Sequence, residues 1–429
     1  MRSLTYHEHR SLATRKPRVV LHVKNAVAAK GTMRTLSAIT LLTAAQALRP
    51  LAPLRKLTSK LRKAPVVQAA PSGASLKPYL SQLIEGEDLD KDDAKGLFGA
   101  FLDGSASPEQ VAAVLCCLRQ KGETPDEIAG AAEAMRAACV PVKTSGTLLD
   151  IVGTGGDGAC TINLSTCSAI LAAACGAKVT KCGNRSVSSA CGAADVLEAL
   201  GLDLELDLDD VTKCIDDVGL GFLFAPKNHP SMRFVAPVRK ALGVRTAFNL
   251  LGPLTNAAGA QRVVIGVFDE KLVDLLAGAL ERIGVVEHAV VIHGVGLDEL
   301  SPLGPCTVRE LKKTSSGYDS KTWTLEPLDY GLPRCTLPDL VGGGPEFNRN
   351  ALRRCLAADP SSIPLGEETT LKDDACRDAI ALNAGMGLYV AGVVDSVGAG
   401  VDKAKEGLAS GAGLEKLDAW IAATKALGK

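Results

Sequence analysis

LLDIVGTGGDGACTINLSTCSAILAAACGAKVTKCGNRSVSSACGAADVLEALG, Leu148 to Gly201, holds an apolar run, a glycine loop, a small-residue helix, a second apolar run and a polar loop. Leu148 to Val152 reads as a buried strand bounded by glycine. Ser165 is placed to cap a helix running through Ala174, with Gly176 at its end. Ala177 to Lys181 reads as the next strand, and the helical crossover makes the two strands parallel. Gly153, Gly155, Gly156 and Gly158 let backbone amides approach an anion closely, and a helix N-terminus behind them adds unsatisfied donors. Asn163, Ser165 and Thr166 add side-chain groups at that end. Lys181 emerges at the tip of the second strand, followed by Gly183, Asn184, Arg185, Ser186, Ser188 and Ser189. All of these face one crevice outside the carboxyl ends of the strands, where open α/β sheets bind ligands.

The loop also satisfies G-x-G-x-x-G, but two features oppose a dinucleotide site. The helix starts beyond the last motif glycine, and the second strand ends in Lys181-Cys182-Gly183, where a ribose-binding acid is expected. No Gly-Lys-Ser/Thr follows, so the Walker pattern is absent. A phosphate loop of another kind is the better reading, with a plain glycine turn as the alternative.

Gly-Thr-Gly-Gly-Asp (153–157), Asn-x-Ser-Thr (163–166), Lys-x-Gly-Asn-Arg (181–185) and Ala-Asp-Val-Leu-Glu-Ala-Leu-Gly (194–201) together resemble the anthranilate phosphoribosyltransferase family. The resemblance continues through Val-Arg-Lys-x-Leu-Gly-Val-Arg-Thr (238–246), Phe-Asn-Leu-Leu-Gly-Pro-Leu-Thr-Asn (248–256) and Gly-Leu-Asp-Glu-Leu (296–300), and it covers roughly Ser75 onward. It implies transfer of phosphoribose from phosphoribosyl pyrophosphate to anthranilate, in tryptophan biosynthesis. For phosphoribosyl pyrophosphate it implies the loop residues Gly153, Gly155, Gly156 and Asp157, the helix-start residues Thr161, Asn163, Ser165 and Thr166, and the second-strand group Lys181, Gly183, Asn184, Arg185, Ser186, Ser188 and Ser189. For anthranilate it implies Gly153, Cys182, Asn184, His229 and Arg239. Arg239 suits a carboxylate as a planar two-pronged donor; the ordinary alternative is an ion pair bridging two lobes. For Mg²⁺ it implies Asp298, Glu299 and the Ser165 hydroxyl, in keeping with that ion's preference for a few carboxylates plus phosphate oxygens. Asp298 and Glu299 also admit the plainer reading of a helix N-terminal pair. A homodimer is implied too. No acid, base or nucleophile stands out, and an arylamine that is already neutral needs little proton transfer. Family relatives usually carry His at position 182 and often Ser at 193; this chain has Cys182 and Ala193. Cys182 reads as a passive wall of the anthranilate pocket. Lys181 and Arg185 nearby in sequence would make its thiol reactive.

The chain has 429 residues and zero net formal charge, enough for more than one compact unit. The charge is unevenly spread. Residues 1–70 carry 14 Lys and Arg against the single acid Glu8, and the rest carries 34 basic against 47 acidic residues. A body with a net charge of −13 is a poor general nucleic-acid binder, so phosphate affinity must be local. The basic, acid-poor residues 1–72 read as a targeting presequence, directing the protein to the plastid stroma. Arg34, the apolar run Leu36–Ala45 and Ala45-Gln46-Ala47 suggest a signal peptide ahead of a transit peptide, with Met33 as the start; one simple transit peptide is the alternative. The apolar run is too short to span a membrane, and no membrane association is expected. The thirteen cysteines include no C-x-x-C, so zinc and thioredoxin motifs are not indicated. Most read as buried packing residues, with a redox role for the group around Cys160 to Cys191 as the alternative.

The fold class follows: α/β, a parallel-rich sheet flanked by helices, with a small all-helical lobe. The lobe spans 73–146, rejoined by about 222–250, and the catalytic domain spans 147–429. Within the lobe, Leu76, Tyr79, Leu80 and Leu83 keep helical spacing, as do Ala94, Leu97, Phe98 and Phe101. Ser107-Pro108-Glu109 and Thr124-Pro125-Asp126-Glu127 are helix starts. Arg262–Phe268 and His288–His293 read as strands around a helix Leu272–Ile283. Beyond Thr307 short strands and turns are expected. Helices follow at Arg349–Ala357, Asp373–Val390 and Leu414–Ala426, the last against the sheet's outer face. Three rivals are weighed. A pyrimidine nucleoside phosphorylase is opposed by Asp298-Glu299 and Asn-x-Ser-Thr, an oxidoreductase by the second-strand ending, and a nucleic-acid-binding relative by the acidic body.

Overall fold

The computed structural model describes residues 76–186, 189–366 and 371–428. The presequence expected at 1–72 and the expected site residue Ser188 lie outside the described residues.

Four helices come first: α1 (Lys77–Ile84), α2 (Lys91–Leu102), α3 (Pro108–Lys121) and α4 (Pro125–Ala138). The two predicted starts are real. Ser107 with Gln110 and Thr124 with Glu127 form reciprocal caps, each with proline in the first turn. Glu127 does more than cap. Its buried carboxylate also accepts from the Leu89 amide at 3.0 Å and the Lys121 ammonium at 3.1 Å, tying three helices together. Phe98, Phe101, Leu115 and Ile128 fill the space between them.

A seven-stranded sheet follows, in the order β3-β2-β1-β4-β5-β6-β7. Its first part is β1 (Leu148–Gly153), α5 (Leu164–Ala174), β2 (Lys178–Gly183), α6 (Ala193–Leu200), α7 (Leu208–Val218) and β3 (Leu220–Phe224). Short helices α8 (Ala225–Asn228), α9 (Ala236–Leu242) and α10 (Phe248–Leu251) then run over the four-helix unit, α9 on α3 and α10 on α4. The chain returns through β4 (Arg262–Gly266), α11 (Leu272–Ile283) and β5 (His288–His293). β1 to β5 are all parallel, and their interiors are nearly all buried, as strands covered on two faces require.

Three expectations for the C-terminal part need correction. The short strands expected after Thr307 are one long antiparallel hairpin, β6 (Cys306–Thr314) and β7 (Gly317–Leu325). Its outer strand is polar on its exposed face, which dilutes the apolar signal. Helices α12 (Pro345–Leu356) and α13 (Asp373–Ala391) lie near their expected places, but α14 (Val397–Ser410) was not foreseen. Its glycines argue against a helix in isolation. They serve packing, because Gly400 lies directly against the backbone of Gly385 on α13, where any side chain would collide. The last helix, α15 (Ala412–Leu427), packs on α5 and α7 and not on the sheet, since those helices already cover the strands beneath it. One helix start also shifts: Asn163, not Ser165, holds the N-cap position of α5.

The antiparallel edge is pinned by one residue. Glu310 on β6 is buried, with its Oε1 2.9 Å from His288 Nε2 on β5. It accepts from the Tyr389 hydroxyl on α13 at 2.7 Å and from the Trp323 indole on β7 at 3.3 Å, and it pairs with Lys312 and Lys321. Burial pushes its pKa up, but the hydrogen bonds from His288, Tyr389, Lys312 and Lys321 outweigh burial and hold it far below the usual range. A depressed carboxylate stabilises the fold above its unfolded pKa, about 4.3, and that contribution fades as pH falls toward the folded value. Glu310→Gln is therefore expected to lose about 1.5–3 kcal/mol in urea unfolding at neutral pH. Its stability should also depend less steeply on pH below about 4.3 than that of the wild type.

Candidate active site

The carboxyl ends of β1, β2, β4 and β5 meet at one crevice, and each contributes a turn to it. After β1, Gly155 and Gly156 adopt φ of 71° and 86°, so the loop can coil back over the strand ends. Thr154 donates its amide to Gly266 at the end of β4. After β5 the chain folds back across Gly153 and Gly266, which must lack side chains because Asp298 lies directly upon them. This close approach delivers Asp298 to the glycine loop, where its carboxylate accepts from the Gly155 amide.

The carboxylates of Asp157, Asp298 and Glu299 converge, with ligand atoms all within 4.8 Å of one another. Three acids so close repel one another when ionised. Burial, then the charge of Asp157, pushes the Asp298 pKa up to about 7. Burial followed by Asp298 and Asp157 raises Glu299 well above its usual value, opposed by Lys181 and the Ser165 amide. Glu299 Oε2 is buried and has no hydrogen-bond partner among the described residues. Hard oxygen donors, convergent negative charge and an orphaned buried oxygen fit a small divalent cation such as Mg²⁺. Sequence reasoning paired Asp298 and Glu299 but read Asp157 only as a phosphate contact. Its place among the acids comes from the recoil of the glycine loop.

Lys181 is buried, and its ammonium donates to the Ile151 carbonyl at 2.9 Å and the Ser165 hydroxyl at 3.3 Å. Burial pulls its pKa down, while Asp150, Cys182, Glu299 and Asp298 pull it up. One ammonium donor of three is left for a ligand. Asn163 is braced from two sides: it donates to the Cys191 carbonyl and accepts from Asn348 on α12 at 2.9 Å. Thr166 Oγ1 is buried without a hydrogen-bond partner among the described residues, and Thr161 forms a β-bridge to Val341. Gly183 is pressed by the Phe222 ring, and Asn184 caps the Arg185 amide. The guanidinium of Arg185 is taken by Glu198, at 2.8 and 3.0 Å, and by Asp195. Asp195 also receives the Ser186 and Gly192 amides, and Ser186 and Ser189 share a hydroxyl contact at 2.9 Å.

Of the residues expected to meet anthranilate, Gly153 ends β1, while Cys182 and Asn184 lie at the end of the neighbouring β2. His229 is mostly buried; burial lowers its pKa and a Thr255 backbone contact opposes this. Arg239 stacks 5.6 Å from the Phe248 ring centroid. Burial lowers its pKa, and no carboxylate pairs with it among the described residues, so the alternative of a lobe-bridging ion pair is not what the structure has. The expected reactive thiol is corrected. Burial, the Asp150 charge and a hydrogen bond to Asp150 push the Cys182 pKa well above its ordinary value, and Lys181 opposes them only weakly. Lys181 and Arg185 spend their donors elsewhere.

Sequence reasoning missed four supporting residues. Arg245 donates to the Gly156 carbonyl and stacks 4.0 Å from the Phe268 ring centroid, bracing the loop from outside. Asn348 braces Asn163, and Asp150 with Asn256 forms a buried pair behind Lys181. The signals available were the motifs 238–246 and 248–256, which contain Arg245 and Asn256 but assigned them no role, and an acid inside an otherwise apolar strand, at Asp150.

Residues 145–414 match the α/β domain of the glycosyl transferase family, and residues 77–139 match its helical bundle domain. Among curated proteins, the anthranilate phosphoribosyltransferase of Polynucleobacter asymbioticus is 45% identical over 349 residues, covering 81% of this chain and 97% of that one. A crystal structure of anthranilate phosphoribosyltransferase from Thermus thermophilus is 45% identical with a TM-score of 0.72, covering 81% of this chain and 99% of that one. The Saccharomyces cerevisiae enzyme in complex with PRPP and Mg is 29% identical with a TM-score of 0.71, covering 82% and 99%.

Replacing Asp298 by Asn together with Glu299 by Gln removes two of three anionic ligands. Mg²⁺ affinity in calorimetry should fall by more than the roughly 10–100-fold that outer-shell changes cost. Without Mg²⁺, the variant should melt no lower than the wild type, because mutual repulsion is gone.

Proposed function

The chain belongs to the anthranilate phosphoribosyltransferase family, and on that footing we propose that it transfers the phosphoribosyl group of phosphoribosyl pyrophosphate to the amino group of anthranilate, releasing pyrophosphate. The observation that carries this reading is the three-acid cluster facing the glycine loop and Lys181 at the carboxyl ends of parallel strands. The residues fit Mg²⁺, with Asp157, Asp298 and Glu299 to hold it and Ser165 beside them. When bound, the ion neutralises charge on the departing pyrophosphate.

The chain's own groups do the rest by position and charge. As pyrophosphate leaves, negative charge grows on its oxygens, and the loop amides and the remaining Lys181 donor stabilise it. Asn163, held from both sides, keeps the α5 N-terminus aimed at the same place. The arylamine is neutral at physiological pH, so no strong base is needed, and holding the amine near the ribose carbon supplies most of the acceleration. Arg239, half-buried and without an acid among the described residues, suits the anthranilate carboxylate. Loss of anthranilate fluorescence that requires both phosphoribosyl pyrophosphate and Mg²⁺ tests the reaction; no loss overturns it. Arg239→Ala should weaken anthranilate by about 1.5–3 kcal/mol and leave the phosphoribosyl pyrophosphate KM nearly unchanged.

The finer readings are a homodimer and a plastid stromal location. The homodimer is what the family resemblance implies for the helical unit. The basic, acid-poor N-terminus supports import. A reporter carrying residues 33–70 should enter the plastid of a secondary-plastid alga, and deletion of 36–45 should halt it earlier. Delivery that survives the deletion favours a simple transit peptide.

A further inference from the structure

Two adjacent carbonyls at the end of β4 anchor two different loops. The Gly266 carbonyl accepts the Thr154 amide of the glycine loop at 2.9 Å. The Val267 carbonyl lies 2.8 Å from Nδ1 of His293, the last residue of β5. The other ring nitrogen, Nε2, accepts the Gly296 amide at 3.1 Å. A carbonyl can only accept and an amide N–H can only donate, so the ring is neutral with its proton on Nδ1. The amide it holds belongs to a strained turn. Residues 294–297 close on themselves through reciprocal bonds between Gly294 and Leu297, at 3.0 and 3.3 Å. The central residues, Val295 and Gly296, have φ of 56° and 89°, as in the mirror-image type I turn. Glycine accepts that conformation, and a β-branched valine resists it. Val295 is 49% exposed, so burial offers little in return. Just beyond the turn, the Glu299 backbone lies on Gly294, and Asp298 lies on Gly153 and Gly266. The shape of the turn thus sets where both acids fall.

We propose that His293 is a positioning residue for the three-acid cluster: as a neutral bridge from the Val267 carbonyl to the Gly296 amide, its ring holds the strained turn that lays Asp298 and Glu299 against the glycine loop. Packing alone would require no polar atom here. Histidine offers a donor and an acceptor on two edges of one rigid ring, so the strand end and the turn are set at one fixed spacing. Residues that orient ligands without touching the ion commonly govern metal affinity. The inference rests on the reading of the acids as a Mg²⁺ site.

The test uses the full chain, with a spectroscopic readout and a binding readout. In nitrogen NMR spectra of histidine-labelled protein, in mildly alkaline buffer without Mg²⁺, the His293 ring should show a protonated Nδ1 and a bare Nε2. The His293→Asn spectrum identifies its signals. Free histidine favours the opposite tautomer, so a proton on Nε2, or a ring averaging between the two forms, overturns the proposal. Calorimetry then separates the two halves of the bridge. His293→Gln carries an oxygen that reaches the Gly296 amide, whereas His293→Asn, one carbon shorter, keeps only the donor toward Val267. The Gln variant should bind Mg²⁺ within about threefold of wild type, and the Asn variant about tenfold more weakly, one net hydrogen bond. Equal affinities for the two variants overturn the role of the Gly296 bond. Val295→Asn puts an asparagine before Gly296, the pair this turn favours. It should leave Mg²⁺ affinity within about twofold in the wild-type background and recover most of the loss in the His293→Asn background. A double variant that binds no tighter than His293→Asn overturns strain as what the ring restrains. If the wild type binds no Mg²⁺, the cation reading falls, and the tautomer still decides whether His293 holds the turn.

Discussion

Two parallel strands that separate before their ends leave backbone groups that must find partners, because a buried amide or carbonyl left alone costs about 1–3 kcal/mol. β1 and β2 pair only at Leu148 with Lys178 and at Leu149 with Val179, and beyond that point Lys181, Asn256 and Asp150 meet the demand. Without them the ladder would either zip closed or admit water. Lys181 therefore serves two purposes. It closes one gap in the ladder and leaves a donor at the mouth of the crevice.

Charge is arranged in the crevice as opposed halves. Asp150 lies behind Lys181, and the Asp157, Asp298 and Glu299 cluster lies in front of it. The lysine keeps its ammonium in a buried position because acids bracket it, against a burial effect that works the other way. The front acids are balanced less well: Lys181 and the Ser165 amide oppose the rise at Glu299 and the Gly155 amide opposes it at Asp298, yet burial and mutual repulsion leave both pKa values raised.

Much of this was legible in the residues. The β-α-β unit, the capped helices of the N-terminal unit and the pair β4 and β5 follow from local spacing, since apolar periodicity and caps act over a few residues. What escaped was set by contact across the fold. The α14 helix has poor propensity and exists because Gly400 fits against Gly385. The placement of α15 depends on α5 and α7 having already covered the strands. Asp157 joins the acids only because the loop recoils, and Arg245 braces the loop from 89 residues away. The Cys182 thiol looked activated by its neighbours in sequence, yet in space those cations face carbonyls and carboxylates, and an acid faces the sulfur.

The α13 helix joins two distant parts of the molecule. At its end Tyr389 grips Glu310, and at its middle the buried Asn383 takes both the amide and the carbonyl of Leu300, the residue after the paired acids. The segment carrying Asp298 and Glu299 is a turn by its shape, yet its last amide is sealed by a side chain from a largely buried helix. Exchange of that amide with solvent therefore requires α13 to lift from the sheet, an opening that belongs with the core and not with surface loops. On the timescale of hydrogen exchange, the Leu300 amide is expected to be protected like those of the strand before it.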